Sequence, residues 1–154
     1  MKPSLLAIYI APISAAPMKE VSEVCAIEGR GLEGDRYADG KGKWTKADAP
    51  DRHVTLIEAE ALEALARDYE IKLPASETRR NLLTRDVPLN HLVGKKFRVG
   101  EAELKGIKLC EPCSHLDKLV GKRVSKGLAH RGGLRAQIVT GGVIKAGDEI
   151  LVLE

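Results

Sequence analysis

The sequence predicts one domain of mostly β, α+β class, covering residues 1–154 and folded as a closed or nearly closed β-barrel with a few peripheral helices. Short apolar stretches of β character recur along the chain, and turn-forming residues separate them. One stretch near the middle has clear helical periodicity. A length of 154 residues is enough for a single domain with a real core.

The first third of the chain predicts two strands followed by a long loop. Residues 4–11 are almost all apolar, which is typical of a buried strand, and residues 21–27 alternate apolar and polar side chains, which is typical of a half-buried one. Cys25, at the end of the second strand, is predicted to be a small core residue. Five glycines follow between residues 28 and 44, and a glycine-rich loop of that length is usually functional or mobile.

The middle of the chain predicts a strand that continues into a helix. Residues 53–57 have β character, and apolar residues then recur with helical spacing from residue 57 to 69. Thr55 and Glu58 have the spacing of a capping box, which would start the helix.

The remainder predicts further strands. Residues 79–87, 95–109 and 135–154 have β character, with hairpin turns expected at Gly100 and at Gly141–Gly142. Between residues 114 and 128 the apolar positions share one helical face.

Composition limits the class of protein. Hydrophobic residues make up 44% and charged residues 31%, as in soluble globular proteins. Aromatic residues make up only 3%, which argues against a nucleic-acid binder that stacks bases. The longest apolar run is shorter than the ~18 residues of a membrane helix, and Pro12 interrupts the signal-like N-terminus. Three cysteines indicate a reducing, cytoplasmic setting. We therefore expect neither a nucleic-acid nor a membrane partner.

Cys110 and Cys113 have C-x-x-C spacing, with His115 two residues beyond. A structural zinc site needs a second close pair of ligands, which the sequence lacks. A dithiol redox site fits the local change from strand to helix, although the βαβ pattern of thioredoxins is absent. A single functional thiolate at Cys113 fits the same position, because a helix N-terminus lowers the pKa of a thiol and a thiolate suits a soft metal. These three interpretations stay open at this point.

Basic and polar residues are paired at three other places: residues 34–37, 79–81 and 130–135. Arginine presents a rigid fork of donors that matches phosphate and carboxylate groups. Each cluster taken alone is typical of a solvated surface or a turn. Three such clusters together with a thiol are the pattern of a shared anionic ligand.

The ordered set of motifs resembles the MOSC domain family, which is named after the C-terminal domain of molybdenum cofactor sulfurases. The matching segments are GLEGDRYA, RRNLLT, VGKKFRVGEAELKG, EPCSHL and GGLRAQIVTGGVIKAGDEI. The resemblance implies a β-barrel of the pyruvate-kinase-barrel type. It also implies binding of the molybdenum cofactor (molybdopterin), a pterin with a dithiolene and a phosphate.

The resemblance also implies roles for individual residues. The characteristic cysteine maps onto Cys113, as molybdenum ligand and catalytic residue or as sulfur carrier. The pterin-binding segment maps onto Arg79 and Asn81, and Arg36, Arg131 and Arg135 are candidates for the phosphate. Amidoxime-reducing relatives have an arginine two residues before the cysteine, where this chain has Glu111.

Two functions follow from the resemblance. One is a molybdenum-dependent oxidoreductase that reduces small N-hydroxylated substrates with an external electron donor. The other is a non-catalytic module that binds the cofactor, or carries a persulfide received from a sulfur-donating desulfurase. Both use Cys113.

Overall fold

The computed structural model of the chain describes residues 2–13, 16–36, 38, 53–110, 127–128 and 130–153. These residues are mostly β with one α-helix, which confirms the α+β class. The strands are β1 Ser4–Ile10, β2 Lys19–Val21, β3 Glu23–Ile27, β4 Gly31–Leu32, β5 Val54–Glu58, β6 Leu82–Arg85, β7 Lys96–Val99, β8 Ala102–Leu109, β9 Leu134–Thr140, β10 Gly142–Lys145 and β11 Ile150–Val152. The helix α1 is Ala59–Tyr69, and short 3-10 turns occupy Ala75–Glu77 and Leu89–Leu92.

The strands form two sheets. The larger one has eight strands in the order β11-β7-β8-β9-β5-β6-β1-β2, and the smaller one has the order β10-β3-β4. Within the larger sheet β5 and β6 are parallel and joined by α1, while the other neighbours are antiparallel. This pairing places the end of β8 and the starts of β9, β5 and β6 side by side across the larger sheet.

The barrel is not confirmed. Between β1 and the segment leading into β11, the described residues have a single isolated bridge, Ser4 to Glu149, and backbone hydrogen bonds such as that from the Leu5 N–H to the Asp148 oxygen at 2.8 Å. These contacts bring the segment before β11, one edge strand of the larger sheet, close to β1 near its other edge. They do not form a strand ladder, and they do not establish the pyruvate-kinase-barrel type.

The main core is built from side chains of both sheets. It gathers inward-facing side chains from nearly every strand, among them Phe97, Ile8, Leu56, Leu82 and Leu134, all fully buried. Burial of such side chains removes apolar area from water and is the main stabilising term of the fold. A smaller cluster under α1 contains Ala61, Leu65, Leu73 and Leu128.

Most predicted elements form where the pattern placed them. The strand at residues 4–11 is β1, residues 53–57 fall in β5, and Gly100 turns β7 back onto β8 with φ +57°. The stretch at residues 21–27 is divided, because β2 joins the larger sheet and β3 the smaller one. The predicted helix at 114–128 and most of the glycine-rich loop lie outside the described residues.

Three local predictions are wrong. The Thr55–Glu58 capping box does not form: Glu58 precedes α1 without a side-chain cap, and Thr55 bonds Asn81 instead. Gly141 and Gly142 do not make a hairpin, since β10 pairs with β3 and not with β9. Cys25 is exposed, because its side chain takes the solvent side of β3.

Candidate functional site

A row of polar side chains crosses the larger sheet where several strands begin or end. Strand register places five residues side by side, on β1, at the start of β6, and on β5, β9 and β8. They are Tyr9, Asn81, Thr55, Arg135 and Lys108, and we call them the polar row. Each of these strands has a neighbouring residue in the main core or packed against it, namely Ile8, Leu82, Leu56, Leu134 and Leu109. Since side chains alternate between the faces of a strand, the polar row lies on the opposite face.

Asn81 is the structural centre of the polar row. Its side-chain oxygen accepts hydrogen bonds from the Thr55 N–H at 3.0 Å and the Thr55 hydroxyl at 3.1 Å. Its Nδ2 group donates to the backbone carbonyl oxygen of Tyr9 at 3.0 Å, and Asn81 is fully buried. The amide therefore ties β1, β5 and β6 together. One of its two Nδ2 hydrogens is used in these bonds.

Arg135 is the least satisfied member of the polar row. Its Nη1 atom is buried and has no hydrogen-bond partner among the described residues. A buried donor without an acceptor costs about 1–3 kcal/mol, and more when the group is charged. Such an atom is therefore expected to be paired in the working protein, and an anionic ligand would pair it.

Arg80 is a functional candidate to which the sequence motifs assign no role of its own. The residue is 9% exposed. Its Nε donates to the Gly132 oxygen at 2.7 Å and its Nη2 to the Cys110 oxygen at 3.3 Å. No ion pair joins it to any carboxylate in the described part of the chain. Its guanidinium thus brings a buried positive charge to the end of β8. The double arginine was visible in the sequence, but the carbonyls that bury Arg80 come from distant segments.

Arg36 and Arg79 are brought together beside this end of the sheet. Arg36 donates through Nη2 to the Arg79 oxygen at 3.4 Å, and Arg79 donates through Nη1 to the Ala16 oxygen. Arg36 is also buried against Asp35, with 3.2 Å between Nη1 and Oδ1. Its charge is therefore balanced inside the protein. Arg79, at φ +65°, is half-buried.

Arg131 lies at a different feature, a cavity of about 440 Å³ beside the first turns of α1. The cavity lies between α1, the 3-10 turn at Leu89–Leu92 and the segment 130–133. We call it the α1 cavity. Glu58 also lines it. Burial raises the pKa of the Glu58 carboxyl above its ordinary value, while a hydrogen bond from the Leu89 N–H and the charge of Arg131 oppose that rise.

Cys113 and His115 lie outside the described residues, so their predicted roles stay predictions. The structure does fix the chain just before them. Cys110 follows β8, is 1% exposed, and donates its N–H to the Gly133 oxygen at 2.8 Å. Its own carbonyl accepts from Arg80. Among the residues that the structure covers, no three His, Cys, Asp or Glu side chains lie close enough to hold a metal ion. Nor does any helix there have the length and hydropathy to span a membrane.

The fold is similar to three solved structures. The YuaD protein from Bacillus subtilis superposes with a TM-score of 0.81 at 16% identity, over 99% of this chain and 96% of that one. YiiM from Geobacillus stearothermophilus gives 0.74 at 15% identity, over 99% and 75% of the two chains. YiiM from Escherichia coli gives 0.72 at 20% identity, over 100% and 70%. At these identities the likeness concerns the fold alone.

Sequence comparison with whole curated proteins finds no significant match. A family model does match, over residues 43–151, which is more than half of the chain. That span includes β5 to β10, the polar-row residues Asn81, Thr55, Arg135 and Lys108, and the segment that contains Cys113. The chain belongs to the MOSC domain family.

Proposed function

We propose that this MOSC protein binds the molybdenum cofactor beside the polar row and holds the metal through Cys113. The observation that carries the proposal is the buried, unpartnered Nη1 of Arg135. The molybdenum cofactor has anionic phosphate and dithiolene groups, and an anion would satisfy this donor. The residues present therefore fit the chemical character of the cofactor.

The charge balance around the polar row supports an anionic occupant. Arg80 and Arg135 bring two guanidinium groups without an ion pair to any described carboxylate. Asp35, the buried acid nearby, is already engaged by Arg36. Charges of one sign in a buried setting act at low dielectric and attract a counter-charge strongly.

The proposed roles follow from these contacts. Arg135 pairs an anionic group of the cofactor. Asn81 offers its remaining amide hydrogen, and Arg79 its guanidinium, to the pterin. Arg36 is a positioning residue that holds Arg79 through its carbonyl. We leave Arg131 out of this set because its exposed side chain lines the α1 cavity.

Arg80 supports Cys113 in this proposal by fixing the chain that leads to it. Its hydrogen bonds hold Cys110, at the end of β8, to the segment before β9. When bound, the cofactor supplies two-electron redox chemistry and the protein supplies orientation and electrostatics. The proposed reaction is reduction of a small N-hydroxylated compound to the amine and water. Two electrons come from an external donor and two protons from solvent or the protein.

The alternative is a non-catalytic module that stores the cofactor or carries a persulfide on Cys113. Glu111 favours it, because an acid two residues before the cysteine replaces the arginine of the amidoxime-reducing relatives. A carboxylate there disfavours a developing negative charge that an arginine would stabilise.

The test is metal and pterin analysis of protein purified from a host that makes the cofactor. We expect molybdenum and pterin in equal amounts, approaching one per chain, and loss of molybdenum in Cys113→Ser. Stoichiometric zinc without pterin would contradict the proposal. Turnover of an N-hydroxylated base with a chemical electron donor then separates the two functions. Metal-dependent turnover supports the reductase, and bound cofactor without turnover supports the module.

A further inference from the structure

The α1 cavity has the build of a second binding site. Its volume of about 440 Å³ lies within the range of ~300–1,000 Å³ that is common for small-molecule sites. Three separate segments form its walls, and hydrogen bonds fix them to one another. Glu58 accepts from the Leu89 N–H at 3.1 Å, and Asn90 donates through Nδ2 to the His130 oxygen at 2.8 Å. The cavity is therefore a property of the packed fold.

Gly133 lets the chain at one side of the cavity pack directly against β5. Its φ is +115°, and a Cβ atom at this position would lie 2.0 Å from the Leu56 oxygen. No side chain larger than hydrogen fits there without moving the main chain of β5. This wall of the cavity is therefore held against the sheet by close backbone packing.

Most charged groups around the cavity are already paired. Arg67 pairs with its neighbour Asp68 at 2.7 Å. The Oε2 atom of Glu60 accepts from the Asp86 N–H at 2.9 Å and lies 3.8 Å from Arg85, while its Oε1 atom is buried without a described hydrogen-bond partner. Apart from the histidines, two lining residues of opposite charge are left to account for.

Those two residues are Glu58 and Arg131. Glu58 has a single described hydrogen-bond donor, the Leu89 N–H, and no described cation within ion-pair distance. Arg131 likewise has no described carboxylate within ion-pair distance, and its side chain is exposed. The two line one cavity without pairing with each other. Arg131 nevertheless acts on Glu58 through space.

Apolar residues form part of the lining, beside the polar Asn90, His91 and His130. Ala61 and Ala64 contribute from α1, with Pro88 and Leu89 facing them from the opposite wall. Ala61, Ala64 and Leu89 are buried. A ligand that fits this cavity therefore has a cationic end, an anionic end and an apolar body between or beside them.

We propose that the α1 cavity binds a small zwitterion of the free amino-acid class. The ammonium group of the ligand pairs with Glu58, its carboxylate with Arg131, and its apolar side chain contacts Ala61, Ala64 and Leu89. Neither a simple anion nor a simple cation uses both charges. This site is separate from the polar row and does not depend on the cofactor.

The test uses L-phenylalanine as the probe and cofactor-free protein from a host that cannot make the molybdenum cofactor. NMR titration follows the backbone amides of Ala64, Leu89 and Gly133. Two analogues each remove one charge: N-acetyl-L-phenylalanine lacks the ammonium group, and L-phenylalaninamide lacks the carboxylate. We expect saturable shifts with L-phenylalanine and affinities weaker by about tenfold or more with each analogue.

Variants locate the two charges. Glu58→Gln retains an acceptor for the Leu89 N–H and removes the negative charge, so it should weaken L-phenylalanine binding without unfolding the protein. Arg131→Gln should weaken it to a similar degree. Arg98→Gln, which removes an exposed arginine from β7, is the matched control and should bind as the wild type does. Absence of shifts at the lining amides, or equal affinity for all three probes, would overturn the proposal.

Discussion

The polar row and the α1 cavity differ in the charges that they present. The polar row combines hydrogen-bonded neutral side chains with two cations, and Arg135 keeps a buried donor unsatisfied. The α1 cavity presents an acid, Glu58, and a base, Arg131, and neither forms an ion pair with a described residue. We therefore propose a site for an anion at the first and a site for a dipolar molecule at the second. At the polar row the hydrogen-bond donors are held in place by the strands. At the α1 cavity two opposite charges, those of Glu58 and Arg131, stay apart.

Gly133→Ala tests the wall of the α1 cavity and should have the largest effect on stability. The added Cβ would meet the Leu56 oxygen at 2.0 Å, and the residue has positive φ. We expect a loss of about 3 kcal/mol or more in the free energy of unfolding, measured by chemical denaturation.

Gly147→Ala is the matched control for this prediction. It has φ +96° and nothing within 4 Å of the added Cβ. It carries only the conformational cost of about 1–2 kcal/mol. If both variants lose the same free energy of unfolding, the close contact between residue 133 and β5 is not the reason why residue 133 must be glycine.

Asn81→Ala tests the centre of the polar row. It removes the acceptor of two hydrogen bonds from Thr55 and the donor to Tyr9, all buried. We expect a loss of about 2–3 kcal/mol in the free energy of unfolding, because buried polar groups are left unpaired. Asn90→Ala, which removes one exposed hydrogen bond to His130, should cost less than about 1 kcal/mol. A loss at residue 81 no larger than that at residue 90 would mean that the row does not tie the strands together.

Glu58→Gln tests the acid of the α1 cavity and should have the smallest effect on stability, with a dependence on pH. The pKa of Glu58 is raised in the folded state above its ordinary 4.5, first by burial. Between the two pKa values the folded protein binds more protons than the unfolded one, so this group makes the wild type less stable as pH rises. Glutamine stays neutral throughout.

The stability difference, Glu58→Gln minus wild type, should therefore grow as pH rises from below 4.5 through the raised pKa and then level off. Thermal unfolding of both proteins across this pH range measures it. A difference that is constant with pH would contradict a raised pKa for Glu58.

The elements of the fold could be predicted where their signals are local. The alternation and apolar runs of β1 and β5, and the helical period of α1, are properties of short stretches. The capping box at Thr55 failed because its hydroxyl bonds Asn81, which is 26 residues away. The hairpin at Gly141 failed because β10 finds its partner in β3, early in the chain. No local pattern contains either contact.

The candidate site was predictable in its residue types and not in its arrangement. The paired basic and polar residues at 79–81 and 130–135 marked Asn81 and Arg135 as candidates. That they share one row depends on the register of five strands. The burial of Arg80 among carbonyls, and the position of Arg131 at the α1 cavity, likewise follow from tertiary packing.

The most direct test of the cofactor proposal is the cofactor content of Arg135→Gln, compared with that of Arg98→Gln. Both variants remove one arginine from a strand, and only Arg135 has a buried, unpartnered nitrogen. Protein purified from a host that makes the cofactor is analysed for molybdenum and pterin per chain. We predict that Arg135→Gln loses most of both while Arg98→Gln keeps the wild-type amounts. Wild-type content in Arg135→Gln, or equal loss in the two variants, would contradict an anion site at the polar row.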